Sequence, residues 1–234
     1  MSALPVASLT RGPQVLLAPT EPLAGERLLP VHDALVPLLP QGGLRRGSTI
    51  AVTGRGAVTS LALALVAQAS SAGSWTAVVG LPGLGLVAAH ELGVSLDRCA
   101  LVDHPPPGTW GQVVGALIGA VDVVLWSPPP RLPRSETRRV AARMRERGTV
   151  LVQVSGASTG PSPDVTLTVT DVTWQGIERG HGRLAARRVS LERSGRGAAA
   201  RLLRVDLWLP GPDGRPAAVE PEATVHRFPA ALPA

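Results

Sequence analysis

Gly47-Ser-Thr-Ile-Ala-Val-Thr-Gly-Arg-Gly-Ala-Val-Thr-Ser-Leu-Ala-Leu-Ala-Leu-Val66 decides how the rest of the chain is read. Ser48 to Thr53 reads as a buried strand, Gly54 and Gly56 as a tight turn, and the apolar run from about Ser60 as a helix. A strand that feeds a helix through glycines is the frame of a phosphate-binding loop, where backbone N–H groups at a helix N-terminus meet an anion. That motif ends in Gly-Lys-Ser/Thr, whereas this chain has Thr59-Ser60-Leu61. The related dinucleotide fingerprint fails as well: its third glycine is missing and no acid ends the next strand. The stretch therefore reads as a strand-to-helix turn that lacks the side chains of phosphate chemistry.

Outward from this turn the pattern alternates. Ser60 to Ala72 is apolar on nearly every side, as in a crossover helix buried against a parallel sheet, and Gly73 closes it. Trp75 to Leu81 reads as a second strand, Leu84 to Leu92 as a helix, Arg98 to Val102 as a third strand, Trp110 to Ala120 as a helix, and Val121 to Trp126 as a fourth strand. Ser135 is placed to cap a helix running to Arg147, with Gly148 as its stop and Thr149 to Ser155 as a fifth strand. This rhythm predicts an α/β fold with a doubly wound, mainly parallel sheet. From Asp164 the helices drop out. Segments 164–174, about 183–192 and 200–209 predict an antiparallel edge extension near the C-terminus. Residues 1–30 read as a Pro-rich arm, residues 31–209 as the core, and residues 210–234, with six prolines, as a disordered tail.

The alphabet is skewed. All 23 basic residues are Arg, and Lys, Asn and Tyr are absent, as GC-rich coding produces. Residues 1–130 hold six Arg against seven acids, and residues 131–234 hold seventeen against ten. Two runs concentrate the excess, Arg131 to Arg147 and Arg179 to Arg204, and a one-sided basic surface attracts nucleic acid or an acidic partner. In the first run Arg138, Arg139, Arg143 and Arg145 spread over the outer surface of a helix whose inner stripe is Val140, Ala141 and Met144. No apolar run reaches the roughly 18–20 residues that span a bilayer, so no membrane role is expected and the expected compartment is cytoplasmic. The five histidines are scattered without ligand spacing, which excludes a metal site on pattern. Cys99 reads as a buried strand thiol, and no Gly-x-Ser-x-Gly elbow occurs. Trp126, at a strand end, is expected to fill the space that a nucleotide would occupy.

Further segments point to a family. Ala89-His-Glu-Leu-Gly-Val-Ser-Leu-Asp97 is followed by a strand, a helix and Val121-Asp-Val-Val124. Gly42-Gly-Leu-Arg-Arg-Gly-Ser48 leads into the first strand, and Gly182-Arg-Leu-Ala-Ala-Arg-Arg-Val-Ser-Leu191 forms a late hairpin. In this order, across about residues 30–209, the chain resembles the RecA-like recombinase core, a P-loop NTPase type of fold. The resemblance implies that Ser60 stands at the phosphate-binding lysine, Thr59 at the glycine before it, and Leu61 at the hydroxyl that holds Mg²⁺. It implies that the Mg²⁺-ordering acid falls at Ser127, the water-activating acid near Leu81, and the glutamine that couples nucleotide to DNA near Gly156. Arg187 and Arg188 match basic residues that reach a neighbouring subunit's nucleotide.

With the loop lysine, the Mg²⁺ hydroxyl and both acids absent, the resemblance implies a pseudo-ATPase with no catalytic residues, no cofactor and no metal. Among RecA-like proteins lacking ATPase motifs, the chain resembles the actinobacterial mutasome accessory family called ImuA-prime. That family implies a non-catalytic scaffold in DNA-damage-induced mutagenesis and translesion synthesis. Its partners are an ImuB-like member of the Y polymerase family and an error-prone polymerase. Three alternatives stand beside it: a direct DNA-binding repair protein using the basic C-terminal half, an SOS-type cell-division inhibitor, and a DNA-dependent ATPase.

Overall fold

A computed structural model of the chain describes residues 28–154, 160–178 and 181–219. Most of the arm expected over 1–30, the position of Gly156 and residues 220–234 lie outside the described residues.

The fold is α/β, built on one large mixed sheet. A short ribbon pairs β1 (Leu28–Leu29) with β2 (Leu44–Arg45), and between them Asp33–Leu38 forms a 3₁₀ turn that contains Pro37. The His32 Nδ1 accepts the Ala34 N–H at the start of that turn. The main strands are β3 (Thr49–Gly54), β4 (Thr76–Val79), β5 (Cys99–Val102), β6 (Val123–Trp126), β7 (Val150–Val154), β8 (Val165–Glu178), β9 (His181–Gly195), β10 (Leu203–Trp208) and β11 (Ala217–Ala218). Their spatial order is β11-β10-β9-β8-β3-β7-β6-β4-β5. The strands from β5 across to β8 run parallel, and the antiparallel part begins with β9. The segment starting at 164 thus joins the parallel sheet directly beside β3. Asp164 anchors that join, its carboxylate accepting the Thr49 N–H and its own N–H donating to the Thr49 carbonyl.

Period-2 alternation divides the parallel strands between two cores, because successive side chains leave opposite faces of a strand. On one face Ile50, Val52, Val123, Leu125, Val150 and Val152 pack under α1 (Val58–Ser71). On the other, Val124, Trp126 and Leu151 pack under Val114 of α3 (Trp110–Leu117) and Val140 and Met144 of α4 (Arg134–Arg147). Helix α1 is buried from Leu61 through Ala67 without a break, as its all-round apolar sequence requires. It carries the chain past β7 and β6 to β4. A fourth, short helix, α2 (Leu86–Glu91), precedes β5 at the sheet's outer edge.

Three expectations change. Ser135 lies inside α4; the cap position is Pro133, whose side chain accepts no hydrogen bond, while Gly148 closes the helix at φ 71° as expected. Residues 210–219, expected to be disordered, turn back through Gly211–Gly214 so that β11 pairs with Leu207 and Trp208 of β10. Cys99 is half-buried at the start of an edge strand instead of enclosed, and burial pushes its thiol pKa upward.

Candidate functional site

The glycine turn sits at the carboxyl end of β3, the end of a parallel sheet where ligands bind in open α/β folds. Gly54, at φ 106°, presses its Cα against β8: a Cβ there would lie 2.2 Å from the Val169 carbonyl oxygen. Only glycine tolerates both that conformation and that approach. Gly56, at φ 82°, faces Val172, whose Cγ2 would be 3.1 Å from an added Cβ. The turn then tightens, with the Ala57 N–H donating to the Arg55 carbonyl and the Leu61 N–H closing the first helical bond on the Ala57 carbonyl. Ala57 is the N-cap, and no side chain caps α1.

The three positions that end the motif diverge in environment. Thr59 is exposed and Ser60 half-buried. Leu61 is fully enclosed, at 0% exposure, inside the core under α1. A position that would need to offer a hydroxyl to Mg²⁺ instead supplies four apolar carbons to packing.

The two positions at which the RecA-like resemblance would place acids fall at the same end of the sheet. Leu81 follows β4 and packs against the α1-side core. Ser127 follows β6, its N–H bonded to the Val79 carbonyl at 3.0 Å. Between them Trp110 covers Gly80 so closely that a Cβ on Gly80 would meet the ring at 2.2 Å. The site positions therefore converge on one end, and their side chains are neutral or apolar.

Trp126 departs from expectation. It is fully buried but belongs to the α3–α4 core, on the face opposite α1, with its Nε1–H unpartnered. Alternation along β6 dictates this: Leu125 points to α1, so Trp126 cannot.

The arginines separate by environment. Arg138, Arg139, Arg143 and Arg145 are all exposed on α4. Arg187 and Arg188, adjacent in β9, face opposite sides of the sheet. Arg187 is only 7% exposed; its Nε–H donates to the Leu209 carbonyl, its guanidinium lies 4.9 Å from the Trp174 ring centroid, and burial lowers its pKa. It is a packing residue and does not reach outward. Arg188 faces solvent and pairs with Asp206 at 2.7 Å. Hydrogen bonds from Ser190 and Arg188 hold the Asp206 carboxyl below its ordinary value.

One structural clamp escaped the sequence. Asp122 accepts the Trp75 N–H at 2.9 Å and the Arg46 guanidinium at 2.9 Å, tying the starts of β4 and β6 to the turn before β3. The Val-Asp-Val-Val segment signalled a strand, but only the assembled sheet brings Arg46 within reach. Among the described residues no cluster of His, Cys, Asp or Glu could hold a metal, and no helix is long and apolar enough to cross a membrane.

A family model described as the MT3502 N-terminal domain matches residues 37–160, more than half of the chain. The chain belongs to this family. The matched stretch contains the glycine turn, Leu81, Ser127 and all of α4; Arg187 and Arg188 lie beyond it. The chain is similar to a Mycobacterium tuberculosis protein named uncharacterized protein Rv3395c, 40% identical over 130 residues. Those residues make up 55% of this chain and 53% of the mycobacterial protein, so the chain spans about half the length of the curated relative it matches.

Proposed function

We propose that the protein is a non-catalytic accessory protein of damage-induced mutagenesis, built on a RecA-like core and related to the ImuA-prime family. Topology supports the core reading: a glycine turn ends a central strand with parallel neighbours on both sides, the following crossover passes two strand positions, and antiparallel strands extend one edge. The mycobacterial relative supports the actinobacterial side of the assignment. The observation that carries the non-catalytic reading is the complete burial of Leu61. Its side chain has no lone pair for a cation, and turning it outward would open a cavity in the core. With Ser60, Leu81 and Ser127 at the other three positions, phosphoryl transfer lacks its usual electrostatic machinery.

An accessory protein acts by contact, here with an ImuB-like, Y-family partner in a lesion-bypass complex. Exposed apolar side chains suited to such contact occur along the α2–β5 stretch: Leu86, Val87, Leu96 and Leu101, with Val87 72% exposed. The outer edge of β5 pairs with no described strand.

Two measurements test the reading together. The full chain, incubated with ATP and Mg²⁺ with or without single-stranded DNA, should release no phosphate above a protein-free blank. Affinity capture from DNA-damaged cells should retain a Y-family-like polymerase protein. DNA-stimulated turnover, or capture of a cell-division protein without any polymerase-family partner, would overturn it.

A further inference from the structure

The two basic runs of the sequence have different fates in the fold. In the later run, Arg204 pairs with Glu192 at 2.8 Å and Arg188 with Asp206. Arg187 bonds the Leu209 carbonyl, Arg193 the Arg201 carbonyl, and Arg196 the carbonyls of Ser162 and Pro163. Those guanidinium groups are committed to the protein itself. In the earlier run, residues 131–147 hold seven Arg against two Glu. None of the seven guanidinium groups makes a hydrogen bond or ion pair with any described residue.

Helix geometry sorts these charges. At 3.6 residues per turn, Arg139, Arg143 and Arg147 form a row on one flank of α4, and Arg134, Arg138 and Arg145 lie on the other. Ser135, Ala142 and Glu146 lie between the two flanks. The contacts agree. A Cβ on Gly115 of α3 would lie 3.9 Å from Arg143 Nη1, and one on Gly119 would lie 3.2 Å from Arg147 Cγ, so that row faces α3. Arg145 backs onto Gly47 on the opposite flank. Between α3 and α4 runs an open groove of about 210 Å³, bordered by Arg139, Arg143, Gly111, Gln112 and Gly115, with Glu136 as its one carboxylate.

We propose that this α4 surface, with the α3–α4 groove beside it, binds the phosphate backbone of a single DNA strand without reading its bases. Successive arginines of the groove row are four residues apart, roughly 6 Å along the helix, and each offers a planar donor fork suited to phosphate oxygens. On the facing wall Gly108 has no atom within 4 Å of an added Cβ, whereas Gly111 lies against the Glu136 carboxylate, so the open approach is at the Gly108 end. No large apolar side chain is exposed on α4, so the face lacks the anchor that a protein interface core requires. What remains is a charge surface that neutralises phosphates and releases counterions. The inference goes beyond the accessory reading and does not rest on it.

The test is fluorescence anisotropy of the full chain with a labelled 30-nucleotide single strand between 50 and 200 mM salt. Wild-type affinity should fall steeply as salt rises. The triple variant Arg139→Ala, Arg143→Ala and Arg147→Ala should bind at least tenfold more weakly at 50 mM, with the log–log salt slope shallower by about 2, at about 0.7 per lost contact. The double variant Arg188→Ala and Arg204→Ala, whose guanidinium groups are already paired, should match wild type in slope. Absence of binding at 50 mM salt, or loss of binding in the double but not the triple variant, overturns the proposal. So does a poly-glutamate peptide that binds wild type as tightly as the strand does, since that outcome favours an acidic protein. Affinity capture with the triple variant separates this proposal from the preceding one: partner retention should be unchanged.

Discussion

Leu61 and Gly54 sit seven residues apart, and packing accounts for both. Gly54 is required because Val169 of β8 approaches its Cα and its φ is positive, and neither reason involves an anion. Leu61 is required because it fills the core under α1. Its replacement by the hydroxyl residue of the ligand-binding motif is therefore expected to harm the fold. Leu61→Ser should lower unfolding stability by about 3–5 kcal/mol, combining a cavity with a buried hydroxyl that lacks a partner. Urea unfolding followed by circular dichroism measures this; a loss under about 1 kcal/mol would mean that the site tolerates the polar group and that Leu61 is not a packing residue. The identity of these residues was legible in the sequence, as was the departure from the motif. Trp126 shows the opposite case. Its position at a strand end was legible, but the face it occupies depended on where β6 begins its alternation.

At the scale of elements, the β9–β10 pair explains why charge in a sequence is a poor guide to charge on a surface. Arg204 lies directly opposite Glu192 on the neighbouring strand, and Arg188 reaches diagonally to Asp206, whose direct partner is Ser190. Asp206 supplies a pH signature. Its folded-state pKa is held below the ordinary aspartate value by Ser190 and Arg188, so its contribution is present above that value and lost as pH falls through the folded pKa. The side chains are 37% and 44% exposed, and solvent screening keeps the contribution within about 1 kcal/mol. Asp206→Asn should therefore cost less than about 1 kcal/mol at pH 7 and flatten the decline in stability below about pH 4. Chemical denaturation at a series of pH values checks this; an unchanged acid limb would remove Asp206 from the account. Helix α4 is the contrasting element. Its inner stripe of Val140 and Met144 was legible from spacing, as was its glycine stop, whereas its Pro133 start was not, because Ser135, two residues downstream, offered a stronger capping signal.

Over the whole molecule, stability is distributed by coverage. β3, β7 and β6 have partners on both sides, and residues of all three contribute to the α1-side core. β5 has one neighbour and exposed side chains such as Leu101, and β11 contributes two residues at the far edge. Native-state hydrogen exchange should be slowest in β3, β6 and β7 and fastest, among strands, in β5 and β11. Protection of β5 equal to that of β3 would show that its outer edge is covered in solution. This arrangement also separates the two proposed contacts: apolar side chains of the α2–β5 stretch for a protein, and the arginine surface of α4 for a nucleic-acid strand.

The sequence by itself determined the alternation of strands and helices, the buried crossover after the glycine turn, the change of rhythm at Asp164, and the departure of Thr59-Ser60-Leu61 from the ending of a phosphate-binding loop. These follow from local periodicity and residue chemistry, which act over a few residues. Tertiary structure alone decided which face each strand residue takes, which arginines find carboxylates, and that residues 210–219 close back onto β10. Those outcomes depend on register and on partners far apart in the chain, as with Arg46 and Asp122, and no local pattern encodes them.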